Sequence, residues 1–208
     1  MNFLAVDTSS DYLSIVAVKN GETFSVFLPD CAMKHSVTLM TKVDEVLAQA
    51  QLRVEDCAFF SATVGAGSFT GIRIGISAMK GFALACGKPT LPVTSFDALA
   101  YNSINPSGKI LCLVDALHGF YYACGYENGV VIYPPAYISE EEVLALAENG
   151  YTLRSASLLP ISEKTAVEIV SPVVGLENAV RAKSEQSAFG ALEALYVRKS
   201  SAELNLCR

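Results

Sequence analysis

The sequence predicts an α/β fold with two related lobes, each a mixed β-sheet with helices on its faces. Residues 2–28 and 110–133 follow one pattern: an apolar strand ending in aspartate, a turn, a second strand, an Asn-Gly turn and a third strand. This weak repeat favours duplication of a β-β-β-α unit. We expect residues 1–103 to form the first lobe and residues 104–208 a reduced second lobe, with the end of the chain packing back on the first.

The first lobe is predicted to open with three antiparallel strands and then to alternate helices and strands. Its expected elements are strands over residues 2–6, 13–19 and 22–28, a helix over 36–51, a strand over 58–64, a helix over 72–86, a strand over 89–93 and a helix over 95–101. Apolar residues at i, i+3, i+4 and i+7 define the first long helix. Ser36 and Ser95 are predicted N-caps, because a serine hydroxyl accepts from free amides of the first turn. His35, next to Ser36, is more readily a packing or capping residue than a ligand.

The second lobe follows a polar stretch at residues 102–108 that is typical of a linker. Its expected elements are strands over residues 110–114, 120–126 and 130–133, a helix from the Ser139-x-x-Glu142 capping box through 147, a strand over 165–170 and a helix over 172–183. The apolar segment 191–198 is expected to pack on another part of the protein. This lobe is too short to repeat every element of the first.

The composition excludes several classes of function. Of the 208 residues 51% are hydrophobic and 17% charged, and 15 basic against 21 acidic residues give a net charge of −6, which provides no broad footprint for nucleic acid. No apolar run reaches the roughly 18–20 residues that span a bilayer, and the amino terminus lacks signal-peptide features, so we expect a cytoplasmic protein without membrane contact. The six cysteines are scattered, without a Cys-x-x-Cys pair, and are expected to be reduced and mostly buried.

A glycine-rich loop, VGAGSFTGIRIG at residues 64–75, lies between a predicted strand and a predicted helix. Glycine lets backbone or ligand approach closely, and the free amides at a helix start favour an anion, so the loop could bind phosphate. Its spacing matches neither the dinucleotide fingerprint nor the ATP-binding P-loop, and Ser68 lacks the frame of a nucleophile elbow. The alternative is a structural turn that lets the helix pack closely on the sheet.

Asp7, Thr8 and Ser9 form a second candidate site at the turn after the first strand. A carboxylate followed by two hydroxyls in a strand-turn-strand unit can hold a hydrated metal and contact nucleotide phosphates. Asp115 follows the first strand of the second lobe in the same way. The alternative is a surface hairpin with an Asx-turn, and the residues alone leave both interpretations open.

Four segments together resemble one bacterial family: FLAVDTS at residues 3–9, His35-Ser36 before a helix, GAGSFTGIRIG at 65–75 and VDALHGFYYA at 114–123. The chain is similar over most of its length to the TsaB, or YeaZ, family. Its members are partner subunits of the enzyme that makes threonylcarbamoyladenosine beside the tRNA anticodon. The resemblance implies the fold of the actin, Hsp70 and sugar-kinase (ASKHA) superfamily. The chain departs from the family at Ala66, where proline is usual, and before residues 194–198, where a proline commonly stands.

The resemblance implies an accessory subunit without chemistry of its own. The catalytic paralogue, TsaD, carries two histidine metal ligands at the positions of Ser95 and Leu99, and neither side chain can replace an imidazole on a metal. The implied partners are a TsaD-like paralogue, a TsaE-like ATPase and, when the chain is alone, a second copy. Contact with tRNA is implied only indirectly, through the complex.

A partner interface on the two long helices is implied as well. Its candidate residues are Val37, Met40, Ile72, Gly75, Ile76 and Met79. Apolar residues lie on more than one side of the second helix, and small residues give it a ridge that permits close approach. Such a helix is either half-buried until a partner binds, which we expect here, or fully buried in its own fold.

Two enzymatic hypotheses remain beside the accessory one. In the first, the chain is an ATP-dependent enzyme of the ASKHA superfamily, with Asp7, Thr8 and Ser9 at the phosphates and Asp115 opposite them. Under the accessory hypothesis the same four residues are a vestigial nucleotide site with weak affinity for ATP or ADP, and no other cofactor is expected. The second is a metallopeptidase, which the missing histidine pair disfavours.

Overall fold

The computed structural model of the chain describes residues 1–103 and 106–198. The strands are β1 (Phe3–Asp7), β2 (Leu13–Lys19), β3 (Glu22–Leu28), β4 (Phe59–Thr63), β5 (Thr90–Val93), β6 (Lys109–Asp115), β7 (Phe120–Glu127), β8 (Val130–Ser139), β9 (Thr152–Ser155) and β10 (Val167–Ile169). The helices are α1 (His35–Gln49), α2 (Phe69–Cys86), α3 (Ser95–Ala100), α4 (Glu140–Glu148) and α5 (Pro172–Glu185). Every predicted helix and strand is present, and β9 was not predicted.

The strands form two five-stranded sheets with the same topology. The first has the order β3-β2-β1-β4-β5 and the second the order β8-β7-β6-β9-β10. In each sheet three consecutive strands pair antiparallel, and the last two strands continue the sheet in parallel from the first strand. The identical order confirms the predicted duplication and the α/β fold with two mixed sheets.

The second lobe is reduced by one helix and keeps all five strands. In sequence, α4 follows the third strand as α1 does in the first lobe, and α5 follows the last strand as α3 does. Between its last two strands the second lobe has only the 3₁₀ turn Pro160–Glu163, where the first lobe has the 18 residues of α2. Among the described residues, an α-helix between the last two strands of a sheet is therefore found in the first lobe alone.

Helices α3 and α5 connect the lobes. Leu176 and Val180 of α5 pack in the core on the first sheet, whereas Phe96 of α3 packs in the core on the second. The two helices touch where Gly175 meets the backbone of Ala98, so closely that a Cβ at position 175 would collide with the Ala98 carbonyl. Each lobe thus contributes a helix to the core of the other.

Residues 189–195 of the segment after α5 pack on the first lobe, and the segment reaches β8 of the second lobe at residue 198; up to that residue it has no regular secondary structure. The Phe189 ring packs edge-on against Phe59, with 5.3 Å between ring centroids, and Leu192 is buried in the core beneath α1 and α2. The Leu195 amide donates to the Val64 carbonyl at 2.7 Å. Because Val64 opens the glycine loop, the end of the described chain lies directly over that loop.

Both predicted serine caps are wrong. Helix α1 begins at His35 after Lys34, without a side-chain cap, so Ser36 lies inside its first turn. Helix α3 is capped by Thr94, whose hydroxyl accepts from the Asp97 amide at 3.0 Å while an Asp97 carboxylate oxygen accepts from the Thr94 amide at 2.8 Å. Thr94 is the residue with extended backbone, so it takes the capping position and leaves Ser95 in the helix.

Helix α2 begins at Phe69, three residues before the predicted start, with Ser68 as its N-cap. By length and composition alone it is the one described helix that could cross a membrane. Its inner face, however, is buried in the first lobe through Ile72, Ile76 and Met79. Packing within the first lobe therefore explains the apolar residues on the inner face of α2.

Some predictions fall partly outside the described residues. Residues 104 and 105 of the predicted linker lie outside them, as do residues 199–208 of the predicted second lobe, which include Cys207. Among the described cysteines none forms a disulfide; four are buried and Cys86 is partly exposed.

Candidate functional site

Asp7 lies at the end of β1 with its carboxylate buried and hydrogen bonded within the chain. One carboxylate oxygen accepts from the Ser9 amide at 2.8 Å and from the Ser9 hydroxyl at 2.6 Å, and the other accepts from the Tyr12 hydroxyl at 3.2 Å. The side chain is fully buried. Burial raises the pKa of Asp7 above its ordinary value, and the bonds from Ser9 and Tyr12 oppose that rise. A carboxylate with no exposed oxygen is poorly placed to hold a hydrated metal.

Thr8 ties the turn after β1 to helix α2. Its hydroxyl donates to the Gly71 carbonyl at 2.7 Å and accepts from the Gly75 amide at 3.1 Å. The Ser68 amide donates to the Ser9 carbonyl at 2.7 Å. These donors of the glycine loop and of early α2 therefore bond the chain's own backbone and side chains, which supports the structural interpretation of the loop.

The glycines of the loop are required by these contacts. A Cβ at Gly67 would come closer than 3.0 Å to the Ser9 carbonyl oxygen, and one at Gly71 would come as close to the Thr8 carbonyl oxygen. Gly67 also has a φ of +147°, which side chains other than hydrogen rarely allow. The loop and the β1–β2 turn are thus packed backbone to backbone, in the space that an anion at the loop would need.

A cleft between the lobes brings Ser9 and Asp115 together. It has a volume of about 320 Å³, and both residues line it, whereas Asp7 and Thr8 lie behind its wall. Asp115 is exposed at the end of β6, where its carboxylate accepts from the Leu117 amide at 2.8 Å. Lysine, arginine and histidine are missing from the described residues of this lining. The cleft offers hydroxyls and carboxylates, which do not by themselves attract a phosphate.

Ser95 and Leu99, which the resemblance to the family matches to the TsaD histidines, have structural roles in this chain. The Ser95 hydroxyl donates to the Ala66 carbonyl at 2.5 Å and lies 3.0 Å from the Ser9 hydroxyl. Leu99 is buried in the core between α3 and the second sheet. The described residues include no cluster of three potential metal ligands. His35 is buried as well, with its ring Nε2 2.9 Å from the Tyr12 carbonyl oxygen, so it is a packing residue.

Four of the six predicted interface residues are not at the surface. Ile72, Gly75, Ile76 and Met79 lie on the inner face of α2 and are buried against the first lobe. In this structure they are therefore not accessible to a partner. The sequence prediction failed because α2 is apolar on two sides, and periodicity does not tell which side meets the sheet.

The outer sides of α1 and α2 form an exposed groove. Val37 and Met40 of α1 are 77% and 45% exposed, and Phe69 at the start of α2 is 41% exposed. We call the depression between the helices the α1–α2 groove; it has a volume of about 500 Å³ and is lined by Leu39, Met40, Phe69, Arg73, Ile74 and Ala78 together with three hydroxyl residues. An apolar groove between two helices is a typical seat for another helix.

Several residues of these sites were not predicted. Phe69 and Arg73 line the groove, and Tyr196 from the end of the chain stacks on Phe69 with 4.8 Å between ring centroids. Tyr12 completes the hydrogen bonding of Asp7. Ser68, a good N-cap residue, was the signal that could have placed Phe69 in the helix, whereas nothing local to Tyr196 indicates its partner.

Comparison with known proteins agrees with this architecture. The family model described as "TsaD: tRNA N6-adenosine threonylcarbamoyltransferase" matches residues 24–203. The tRNA threonylcarbamoyladenosine biosynthesis protein TsaB of Bacillus subtilis (strain 168) is 30% identical over 133 residues, which cover 63% of this chain and 58% of that protein. TsaB of Escherichia coli (strain K12) is 30% identical over 135 residues, covering 62% of this chain and 58% of that protein. The matched part of the chain thus spans just over half the length of these curated relatives.

A solved structure shows the same fold over nearly the whole chain. YeaZ from Pseudomonas aeruginosa superposes with a TM-score of 0.78 at 21% identity, and the match covers 94% of this chain and 99% of that one. With a family model that matches well over half of its residues, the chain belongs to the TsaD (tRNA N6-adenosine threonylcarbamoyltransferase) family, and it is similar to the two TsaB proteins named above.

Proposed function

We propose that this chain is a non-catalytic partner subunit of a TsaD-like transferase in the threonylcarbamoyl modification of adenosine in tRNA. The observation that carries the proposal is the state of Asp7, the residue that would serve a nucleotide or metal. Its carboxylate is buried and accepts three hydrogen bonds from Ser9 and Tyr12. Converting it into a ligand would require breaking these bonds and opening the turn.

The α1–α2 groove supports the partner role. It is mostly apolar, it is exposed along two helices, and it lies on the first lobe, which is the lobe that retains the long helix α2. We assign it to the corresponding helix pair of the TsaD-like paralogue, following the resemblance to the TsaB family. The same groove would pair two copies when the paralogue is absent, because a face that binds a homologous helix pair also fits its own.

The remaining parts of the proposal follow from this role. We place the protein in the cytoplasm with its tRNA substrate, and we assign it contact with tRNA only through the complex. A TsaE-like ATPase would supply the nucleotide chemistry. The chain itself would bind ATP or ADP weakly at most, because the interlobe cleft near Ser9 and Asp115 lacks a described cation to hold phosphate.

The proposal is tested by reconstituting the modification from purified components. The complete mixture contains this chain, the TsaD-like paralogue, the TsaE-like ATPase, a threonylcarbamoyl donor and unmodified tRNA. We expect omission of this chain to lower product formation by about tenfold or more, and the Asp7→Asn variant to restore it fully. Asparagine keeps the shape and most hydrogen bonds of Asp7, so this variant separates chemistry from folding.

Two outcomes would contradict the proposal. Product formation that does not depend on this chain would remove its role in the reaction. Loss of product with Asp7→Asn, while the variant still binds the paralogue, would instead favour the ATP-dependent enzyme, since a structural aspartate tolerates this change.

A further inference from the structure

Arg73 is the single charged residue among the described residues that line the α1–α2 groove. It lies on the exposed side of α2, one turn after Phe69. The other lining residues are apolar or carry a hydroxyl. A partner helix that fills this groove must therefore cover one guanidinium group in otherwise apolar surroundings.

The guanidinium group of Arg73 is held in place by two aromatic residues. Its central carbon lies 3.8 Å from the centroid of the Phe69 ring, and its Nε donates to the Tyr196 hydroxyl at 2.9 Å. Phe69 and Tyr196 stack on each other with 24° between their ring planes. Stacking on the ring fixes the plane of the guanidinium, and the bond to Tyr196 fixes its rotation, so little further side-chain entropy is lost when a ligand binds.

The terminal nitrogens of Arg73 remain available to a ligand. The Nε uses one of five N–H donors, and within residues 1–103 and 106–198 no carboxylate oxygen lies within 4.0 Å of the Arg73 guanidinium. Covering an arginine in an interface is costly unless the partner supplies an opposite charge, and a paired carboxylate accepts two parallel hydrogen bonds from the guanidinium.

We propose that Arg73 is the charged anchor of the α1–α2 groove and binds a carboxylate on the helix that the TsaD-like partner inserts there. The assignment rests on the proposed function, to which it adds the chemistry of recognition. A phosphate group of RNA has the same hydrogen-bonding geometry. The apolar lining, the lack of a second described cation in the groove and the net charge of −6 favour a protein helix with an aspartate or glutamate.

Tyr196 acts on this contact through Arg73, so it is a positioning residue. It belongs to the segment after α5, which lies over the glycine loop, and it contacts Phe69 and Arg73, which line the groove. Replacing Tyr196 by phenylalanine keeps the stack on Phe69 and removes only the hydroxyl that accepts from Arg73.

The test measures affinity for the purified TsaD-like paralogue by calorimetry at low and high salt. We expect Arg73→Gln to weaken binding at low salt about tenfold or more and to reduce the salt dependence of the dissociation constant. Arg73→Lys should recover part of the affinity, and Tyr196→Phe should lose a few-fold while keeping the salt dependence. Lys80→Gln is the matched control, because Lys80 is exposed on the same helix outside the groove.

Each contrary result has a distinct meaning. If the wild-type chain binds the paralogue and Arg73→Gln binds it equally well at both salt concentrations, the anchor is overturned and the proposed function stands. If the wild-type chain does not bind the paralogue, the proposed function is wrong, and the proposed role of Arg73 is wrong as well. If, in a parallel titration with unmodified tRNA, Arg73→Gln binds the tRNA more weakly than the wild type does while its binding to the paralogue is unchanged, Arg73 contacts RNA and the proposed carboxylate contact is wrong.

Discussion

The hydroxyl of Thr8 lies 3.1 Å from the amide nitrogen of Gly75 and joins the turn after β1 to helix α2. The same hydroxyl donates to the Gly71 carbonyl, one turn earlier in the helix. Gly71 and Gly75, the small residues that face Thr8, therefore serve a contact within the chain. They allow α2 to approach the β1–β2 turn closely. The outer side of α2 remains available for a partner.

Gly71→Ala should destabilise the protein, because the added Cβ would overlap the Thr8 carbonyl oxygen, which is backbone and cannot turn away. We expect a loss of about 2 kcal/mol in the free energy of unfolding, measured by urea denaturation. Gly81→Ala is the matched control on the same helix, since nothing lies within 4 Å of its added Cβ. That variant should be neutral or up to about 1 kcal/mol more stable. Equal effects of the two substitutions would contradict the close packing of α2 on the β1–β2 turn.

Asp7→Asn should change the pH dependence of stability. Burial raises the pKa of Asp7 in the folded state, so the folded protein binds more protons than the unfolded chain at pH values above the ordinary pKa of 3.8. Wild-type stability therefore carries a contribution that falls as the pH rises through this range. Asparagine does not titrate, so the stability of the variant relative to the wild type should increase as the pH rises above 3.8. A constant difference across this range, in denaturation at several pH values, would contradict the burial effect.

Asp97→Ala should weaken the junction between the lobes. The buried Asp97 carboxylate accepts from Tyr126 of β7 at 3.0 Å and lies 3.1 Å from the ammonium group of Lys183 on α5. Removing it leaves these donors unpaired, and we expect a loss of about 3 kcal/mol in thermal or urea denaturation. Lys42→Met, which breaks the exposed pair with Glu45, is the control and should cost less than about 1 kcal/mol.

The described cysteines should differ sharply in reactivity. Burial raises the pKa of both Cys57 and Cys124 to about 12. At pH 8, on the order of one in ten thousand of each of these two thiols is therefore ionised. Cys86 is partly exposed. Iodoacetamide labelling followed by peptide mass spectrometry should modify Cys86 well before the other two. Labelling of Cys57 or Cys124 at the same rate would show that the cores around them open readily.

Local sequence patterns were enough to predict the order of elements. The Asn-Gly turns, the helical periodicity of α1 and the capping box of α4 each depend on residues near one another in the chain, and all are present. The repeated strand-aspartate-turn pattern predicted the duplicated topology for the same reason. Strand β9 was missed because Leu153 is the one apolar residue among its four, so neither an apolar run nor an alternating pattern marks it.

The candidate sites depended on contacts that local patterns do not contain. Asp7 looked like a ligand because its neighbours Thr8 and Ser9 carry hydroxyls, yet those hydroxyls serve the chain itself. Ile76 looked like an interface residue because α2 is apolar on two sides, and only packing on the sheet decides which side is buried. Tyr196 and Arg73 are 123 positions apart, so their contact required the tertiary structure.

The central claim is that the α1–α2 groove binds the TsaD-like partner. Its most direct test is co-expression with that paralogue, followed by size-exclusion chromatography with light scattering, for the wild type, Met40→Glu and Leu84→Glu. Met40 lines the groove, whereas Leu84 is 86% exposed on α2 outside it. We predict a one-to-one complex for the wild type and Leu84→Glu and none for Met40→Glu, with all three chains folded by circular dichroism. A stable complex with Met40→Glu would contradict the claim.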